Sequence, residues 1–119
     1  MQEIFRILKP GGYAVISTEN LSSWDNIGCL LFGYFPFSMK LDGGLKLGNP
    51  LSPHYKEEYK EKYPSHTRIL TWETLKDIAD YVGFKVERLV GSGHLLGKLG
   101  EIVDKKHCRF ITIKVRKRK

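Results

Sequence analysis

The chain has 119 residues, of which 41% are hydrophobic and 12% aromatic, and a formal net charge of +7. This composition predicts one globular domain at most and excludes collagen-like, disulfide-scaffold and strongly disordered chains. The longest nearly apolar stretch, residues 27–37, is too short and too rich in Gly and Pro to span a bilayer. No secretory signal is visible, and Cys29 and Cys108 form no disulfide framework, so we expect a reducing, cytoplasmic setting.

The positive charge is concentrated at the end of the chain. Residues 105–119 contain eight Lys and Arg and no acid, which leaves 12 basic against 13 acidic residues in the preceding part. Such a stripe could contact phosphate groups non-specifically, but no aromatic residue follows Phe110 to stack on bases. We favour a solvated edge strand or terminus that discourages strand pairing, and we expect no nucleic-acid partner.

The first twenty residues predict a helix followed by a strand. Apolar residues at helical spacing over residues 1–8 indicate an amphipathic helix that is already under way at Met1, so we expect the chain to begin inside a larger unit, through truncation or at an artificial boundary. Residues 9–12, Lys-Pro-Gly-Gly, end that helix. The run Tyr13 to Thr18 lacks clean alternation, which is typical of a central strand covered on both faces.

Residues 21–65 form an irregular insertion. A short helix from Trp24 to Phe32 is predicted, with Ser22 or Ser23 as its N-cap, and an exposed helical turn over residues 54–62. Residues 24–64 contain eight of the 14 aromatic side chains. The insertion therefore forms either a lid or acceptor pocket, or a hydrophobic cluster under a long loop.

The last third of the chain predicts a helix and two strands. Thr71 is a good N-cap, an apolar stripe follows, and Gly83 stands where a helix ends in left-handed geometry. Residues 85–90 predict a strand with Val86 and Val90 on one face. A short helix reaches Asp104, and an alternating strand covers residues 108–115. This order of elements is typical of an α/β fold.

Two sequence blocks resemble the class I S-adenosylmethionine-dependent methyltransferases. Residues 3–18, Glu-Ile-Phe-Arg-Ile-Leu-Lys-Pro-Gly-Gly followed by a hydrophobic strand, are similar to one family segment. Residues 66–75, which begin His-Thr-Arg, and Gly83-Phe-Lys-Val86 are similar to a second. The resemblance implies a partial Rossmann-like sheet that contains the fifth, sixth and seventh strands of the family, with the last strand antiparallel and inserted between the other two. It also implies that residues 1–119 are a single partial domain, with residues 21–65 as the variable insertion.

The cofactor-binding features of that family are not found in this sequence. The family holds S-adenosylmethionine with a glycine-rich turn after its first strand, an acidic residue after the second and a residue near the fourth. The chain resembles the half that follows these features. S-adenosylmethionine is therefore implied for a complete enzyme, while we expect no cofactor binding by this chain alone and a partner that supplies the cofactor-binding half, or self-association through the first strand.

Candidate site residues follow from strand ends and from the resemblance. Thr18, Glu19 and Asn20 end the first strand, where ligands of open α/β sheets bind. Glu19 could deprotonate a small-molecule methyl acceptor, or Glu19 and Asn20 could only shape the turn. His66 is either catalytic or a structural hydrogen-bond donor that anchors the insertion, and we favour the structural role.

Two aromatic residues of the insertion complete the predicted acceptor site. Trp24 and Tyr34 are the candidates for substrate contact. The glycine-rich segment at residues 91–97 departs from a dinucleotide fingerprint, because Leu96 occupies the third glycine position. The His and Cys residues show no metal-ligand spacing, so we predict no metal site. The alternative function is a non-catalytic interaction module that pairs through the first strand, or, with less support, a nucleic-acid binder that uses the basic tail.

Overall fold

The computed structural model describes residues 1–39, 47–53, 55–57 and 69–119. A short 3₁₀ turn, Lys105–His107, comes just before the last strand. Helices and strands follow one another in this order: α1 (Gln2–Ile7), β1 (Tyr13–Glu19), α2 (Trp24–Leu31), α3 (Trp72–Val82), β2 (Phe84–Ser92), α4 (Gly97–Val103) and β3 (Phe110–Lys117). None of the helices in the described ranges has the length and apolar character that a membrane span requires.

The three strands form one sheet in the order β1-β3-β2. Strand β3 is antiparallel to both neighbours, so β1 and β2 run in the same direction on either side of it. Ile113 at the middle of β3 pairs with Ile16 on one side and Leu89 on the other. The fold is therefore mixed α/β, and the expected position and direction of the last strand are confirmed.

One face of the sheet carries the hydrophobic core. Helix α3 begins at the predicted cap, where Thr71 Oγ1 accepts a hydrogen bond from the Thr74 amide at 3.3 Å, and ends at Gly83 with φ +101°. Helix α1 contributes Phe5, whose ring meets Phe84 edge-on at 5.0 Å. The fully buried members of the core are Leu75, Ala79, Phe84, Ile111, Ile113 and Val115.

Strand β1 is an edge strand with one exposed face. Ala14 and Ile16 pack against the core, whereas Tyr13 and Val15 on the opposite face are 58% and 61% exposed. The prediction of a central strand covered on both faces is wrong for the described part of the chain. The physical reason is that β3 covers only one edge of β1, and no helix in the described ranges packs on the face of Tyr13 and Val15.

A bulge in β2 changes which side chains face the core. The register with β3 shifts between Val86 and Arg88, so Val86 and Leu89 point to the core side. Val90 pairs with Thr112 on the opposite side. The prediction that Val86 and Val90 share a face is therefore wrong, because one extra residue reverses the alternation.

The basic residues of β3 have partners within the fold. Lys114 and Arg116 both pair with Glu87 of β2, and these contacts lower the pKa of Glu87 to about 2. Lys117 Nζ donates to the carbonyl oxygens of Phe5 and Leu8 at 2.7 and 2.9 Å, so it satisfies two backbone acceptors at the end of α1. The interpretation of this strand as a solvated edge is wrong, because β3 is the central strand of the sheet.

Two predictions concern the insertion. Helix α2 begins at Ser23, whose Oγ accepts from the Asn26 amide at 3.4 Å, so the Ser23 alternative is confirmed. The helical turn predicted over residues 54–62 falls largely outside the described residues.

Candidate functional site

Asn20 organises the chain at the carboxyl end of β1. Its side chain is fully buried, and Nδ2 donates to the carbonyl oxygens of Lys106 and Cys108 at 2.8 and 2.7 Å. Its Oδ1 accepts from the amide and the hydroxyl of Ser22 at 3.1 and 2.9 Å. These bonds tie the turn after β1 to the segment that enters β3, which is the turn-shaping role considered for this residue.

Glu19 lies at a cavity of about 550 Å³, called the Glu19 cavity below. Two carboxylates, those of Glu19 and Asp25, and the guanidinium of Arg109 line it, together with apolar surface that includes Phe37 and Phe110. The Glu19 side chain forms no hydrogen bond or ion pair with any residue in the described ranges. Its carboxylate is therefore available to a molecule that enters the cavity.

An ion pair forms one wall of the Glu19 cavity. Arg109 Nε and Nη2 both donate to the Asp25 carboxylate, the second at 3.3 Å to Oδ1. This pairing raises the pKa of Arg109 above its usual value. The fork geometry fixes the first turn of α2 against the entry to β3, so that among the described residues Glu19 is the unpaired charge of the cavity.

Asn26 holds the insertion against the same cavity. Its Nδ2 donates to the Asn20 carbonyl at 3.1 Å and to Ser38 Oγ at 3.0 Å, and its Oδ1 accepts from the Ser38 amide at 3.3 Å. Sequence reasoning missed Asn26, Asp25 and Arg109. A signal for Arg109 was available, because an antiparallel β3 inserted beside β1 must begin where β1 ends, as the pair of Glu19 and Phe110 shows.

A second polar cluster is centred on Asp104. Asp104 Oδ2 accepts from Trp24 Nε1 at 2.7 Å and from His94 Nε2 at 3.0 Å, and Oδ1 accepts from His107 Nδ1 at 2.6 Å. The Leu96 amide donates to His94 Nδ1 at 3.0 Å, which assigns the ring proton to Nε2. Hydrogen bonds from His107, His94 and Trp24, in that order, lower the pKa of Asp104 to about 2.

The structure places the predicted substrate residues in different parts of the molecule. Trp24 stacks on His107 at 4.6 Å and lines an apolar cavity of about 400 Å³ between α2 and α4. Tyr34 lines a separate hollow of about 460 Å³ beside Met39. Glu19, Trp24 and Tyr34 therefore do not form one site.

One further candidate residue, Thr18, lies away from these cavities. Thr18 is half-buried on the core side of β1, opposite Ile111, and lines none of the cavities described here. His66 lies outside the described residues, so its role stays a prediction.

Gly91 and Gly100 have packing roles. A Cβ at Gly91 would lie 2.6 Å from both the Cys108 sulfur and the Lys105 carbonyl oxygen, and one at Gly100 would lie 1.9 Å from His94 Nδ1. These approaches bring α4 close to the polar cluster of Asp104. Within the described ranges, no three His, Cys, Asp or Glu side chains converge in a way that could hold a metal ion.

No protein-family model matches this chain, and no curated protein matches it significantly.

Proposed function

We propose that this chain supplies the acceptor-facing part of an S-adenosylmethionine-dependent methyltransferase that acts on a small molecule. Its cofactor-binding part would dock along β1. The observation that carries the proposal is the strand order β1-β3-β2 with a reversed middle strand, which is the order that the sequence resemblance implies.

The free edge of β1 supports a docking partner. The Asn20 amide donates towards β3, to the Arg109 carbonyl, whereas the next amide, that of Leu21, donates to the Leu70 carbonyl on the other side. Since backbone groups alternate in direction along a strand, those of Tyr13, Val15 and Ser17 point to the free edge, whereas the end of β1 bridges to Leu70 on that side. Within the described ranges these groups have no backbone partner, so the edge can accept a further strand.

The glycine-rich turn and the acidic residue with which the family holds S-adenosylmethionine are not found in this sequence, so we propose that the docking part holds the cofactor. A bound S-adenosylmethionine supplies an electrophilic methyl group in enzymes of this type. The contribution we propose for this chain is to hold the acceptor and to receive at Glu19 the proton that the acceptor's O–H or N–H loses.

The charges of the Glu19 cavity favour one class of acceptor. Arg109 is paired with Asp25, so the carboxylate of Glu19 is the charge without a partner in the described part of the chain. A negatively charged acceptor would be repelled, whereas an uncharged or cationic molecule with a protic O–H or N–H can donate to Glu19. The rings of Phe37 and Phe110 provide apolar contact for the rest of such a molecule.

A gene-deletion experiment tests this proposal in the source cells. Labelled S-adenosylmethionine is supplied, and methyl transfer into the small-molecule fraction is compared between wild-type, deletion and complemented strains. We expect one labelled product to disappear on deletion and to return with the wild-type gene. Glu19→Gln should reduce its rate of formation by about 100-fold or more, since a general base typically contributes that much.

Glu3→Gln is the matched control, because Glu3 is exposed on α1 and its ion-pair partner in the described residues is the nearby Arg6. It should restore the product fully. An unchanged profile of labelled small molecules in the deletion strain would contradict the proposal, as would full activity of Glu19→Gln.

A second candidate function is an interaction module without catalysis, and the free edge of β1 is the observation that favours it. Two measurements on the purified chain separate these candidates when they are combined with the result from the deletion strain. Calorimetric titration with S-adenosylmethionine and S-adenosylhomocysteine measures cofactor binding, and light scattering on the same sample measures self-association. Self-association and no methylated product in any strain would support the interaction module. Nucleic-acid binding has less support, since Lys114, Arg116 and Lys117 already have partners in the fold.

A further inference from the structure

Helix α4 presents its large apolar side chains to solvent and a glycine to the protein. Gly100 is buried against His94. Leu99, Ile102 and Val103 lie at helical spacing on α4, and Leu95 and Leu96 come just before it; these five side chains are between 59% and 76% exposed. We call these five residues the α4 apolar surface. A soluble helix normally buries such a face, so this surface needs an occupant.

The polar residues of the same segment show which of its charges are free. Glu101 accepts a hydrogen bond from the Gly93 amide at 2.8 Å, and Asp104 is the acceptor of the polar cluster. Lys98 and Lys105, by contrast, are exposed and form no ion pair with any residue in the described ranges. The exposed charges beside the α4 apolar surface, Lys98 and Lys105, are therefore positive, whereas the carboxylates of Glu101 and Asp104 are half-buried against the protein.

From this combination we infer that the α4 apolar surface docks on an anionic lipid bilayer. The five apolar side chains would enter the boundary between headgroups and acyl chains, and Lys98 and Lys105 would contact anionic headgroups. Trp24, which borders the surface and is partly exposed, would lie at the depth that indole rings prefer. This inference is independent of the proposed methyltransferase activity.

A second copy of the chain fits this surface poorly. At about 1.5 Å per residue, the seven residues of α4 extend only about 10 Å, whereas a stable interface involves about 20 or more residues on each side. A two-fold contact would also bring Lys98 and Lys105 of both copies towards each other across an apolar interface. A bilayer has neither limit, because its headgroups supply the opposite charge over any area.

Vesicle sedimentation with the full chain tests the inference. Vesicles of phosphatidylcholine mixed with phosphatidylglycerol are compared with vesicles of phosphatidylcholine alone. We expect binding to the anionic vesicles and a drop of about tenfold or more in partitioning for the double variant L99S/V103S, since each removed side chain loses apolar burial. This variant keeps the net charge, so non-specific attraction by the basic tail cannot explain a loss.

Two controls complete the experiment. Tyr81→Ser removes an even more exposed side chain from α3 and should leave vesicle binding unchanged. Lys98→Glu with Lys105→Glu should weaken binding to anionic vesicles more than Lys76→Glu, which reverses an exposed charge on α3. All these side chains are exposed, and circular dichroism of each variant confirms folding.

Three results would overturn the inference. The folded wild-type chain could fail to bind anionic vesicles. The L99S/V103S variant could also bind anionic vesicles as well as the wild-type chain does, which would show that binding depends on charge alone. Finally, a wild-type chain that dimerises and becomes monomeric with L99S/V103S would identify a second copy as the occupant.

Discussion

Helices α3 and α4 both contact β2, but they place opposite kinds of side chain against the protein. Helix α3 buries Leu75 and Ala79 in the core and turns its charged residues to solvent. Helix α4 buries Gly100 and exposes Leu99 and its apolar neighbours. Two helices of one small fold thus have inverted amphipathicity.

This difference shows that two kinds of interaction hold the molecule together. The α3 side depends on the removal of apolar surface from water. The α4 side depends on the close packing of Gly100 on His94 and on hydrogen bonds around His94 and Asp104, while its apolar side chains remain exposed. Four substitutions, taken from the largest expected effect to the smallest, test whether the α3 side and the α4 side are stabilised by these different interactions.

Phe84→Ala should cause the largest loss of stability. Phe84 is fully buried between α3 and α1, so its removal should lower the free energy of unfolding by about 4 kcal/mol. Urea denaturation followed by circular dichroism measures this change. Phe32→Ala, at an exposed position after α2, should change stability by less than about 0.5 kcal/mol. Equal effects of the two variants would show that the α3 side is not the hydrophobic core.

Gly100→Ala should destabilise the α4 side by about 2 kcal/mol, because the new methyl group would collide with the buried ring of His94. The same substitution at Gly28 meets no atom within 4 Å and should stabilise α2 by up to about 1 kcal/mol. Thermal unfolding of both variants shows whether each substitution stabilises or destabilises the fold. A stabilising Gly100→Ala would refute the close packing of α4 on His94.

Asp104→Asn should alter the pH dependence of stability. The folded-state pKa of Asp104, about 2, lies below the usual 3.8, so its carboxylate contributes stability that is present above about pH 4 and is lost as the pH falls towards 2. The difference between wild type and variant should therefore be largest near neutral pH and shrink in acid. Denaturation curves across this range measure it, with Asp77→Asn on α3 as the control. A difference that stays constant into acid would rule out this role of the charge.

Leu99→Ser should have the smallest effect, less than about 0.5 kcal/mol, because its side chain already lies in water. Leu75→Ser makes the same change in the core side of α3 and should lower the free energy of unfolding by about 3 kcal/mol or more. Parallel urea titrations compare them. Similar losses would mean that the α4 apolar surface is covered by the chain itself.

The local elements could be predicted well from sequence. Ser23, Thr71 and Gly83 set the ends of α2 and α3 through bonds to nearby backbone or through a left-handed φ, and such signals depend on a few adjacent residues. The candidate site was predicted only in part. Glu19 does lie at a cavity, but its companions Asp25 and Arg109 are 84 positions apart and meet only because β3 lies beside β1.

Other errors arose where pairing overrides local pattern. The bulge between Val86 and Arg88 turns Val90 away from the core, although the residue types alternate regularly enough to suggest otherwise. The basic residues of β3 suggested an edge strand, because their partner, Glu87, lies on another strand and is not apparent from the local sequence.

The sequence by itself determined the helices, the strands and the residues that end them, because these depend on spacing, caps and backbone preferences within a few residues. Only the tertiary structure decided that β1 is an edge strand with a free row of backbone groups, that Asp104 collects three donors, and that α4 turns its leucines outward. Each of these depends on which distant segment lies alongside. In a fold this small, the insertion of the antiparallel strand β3 between β1 and β2 determines most of these contacts between distant segments.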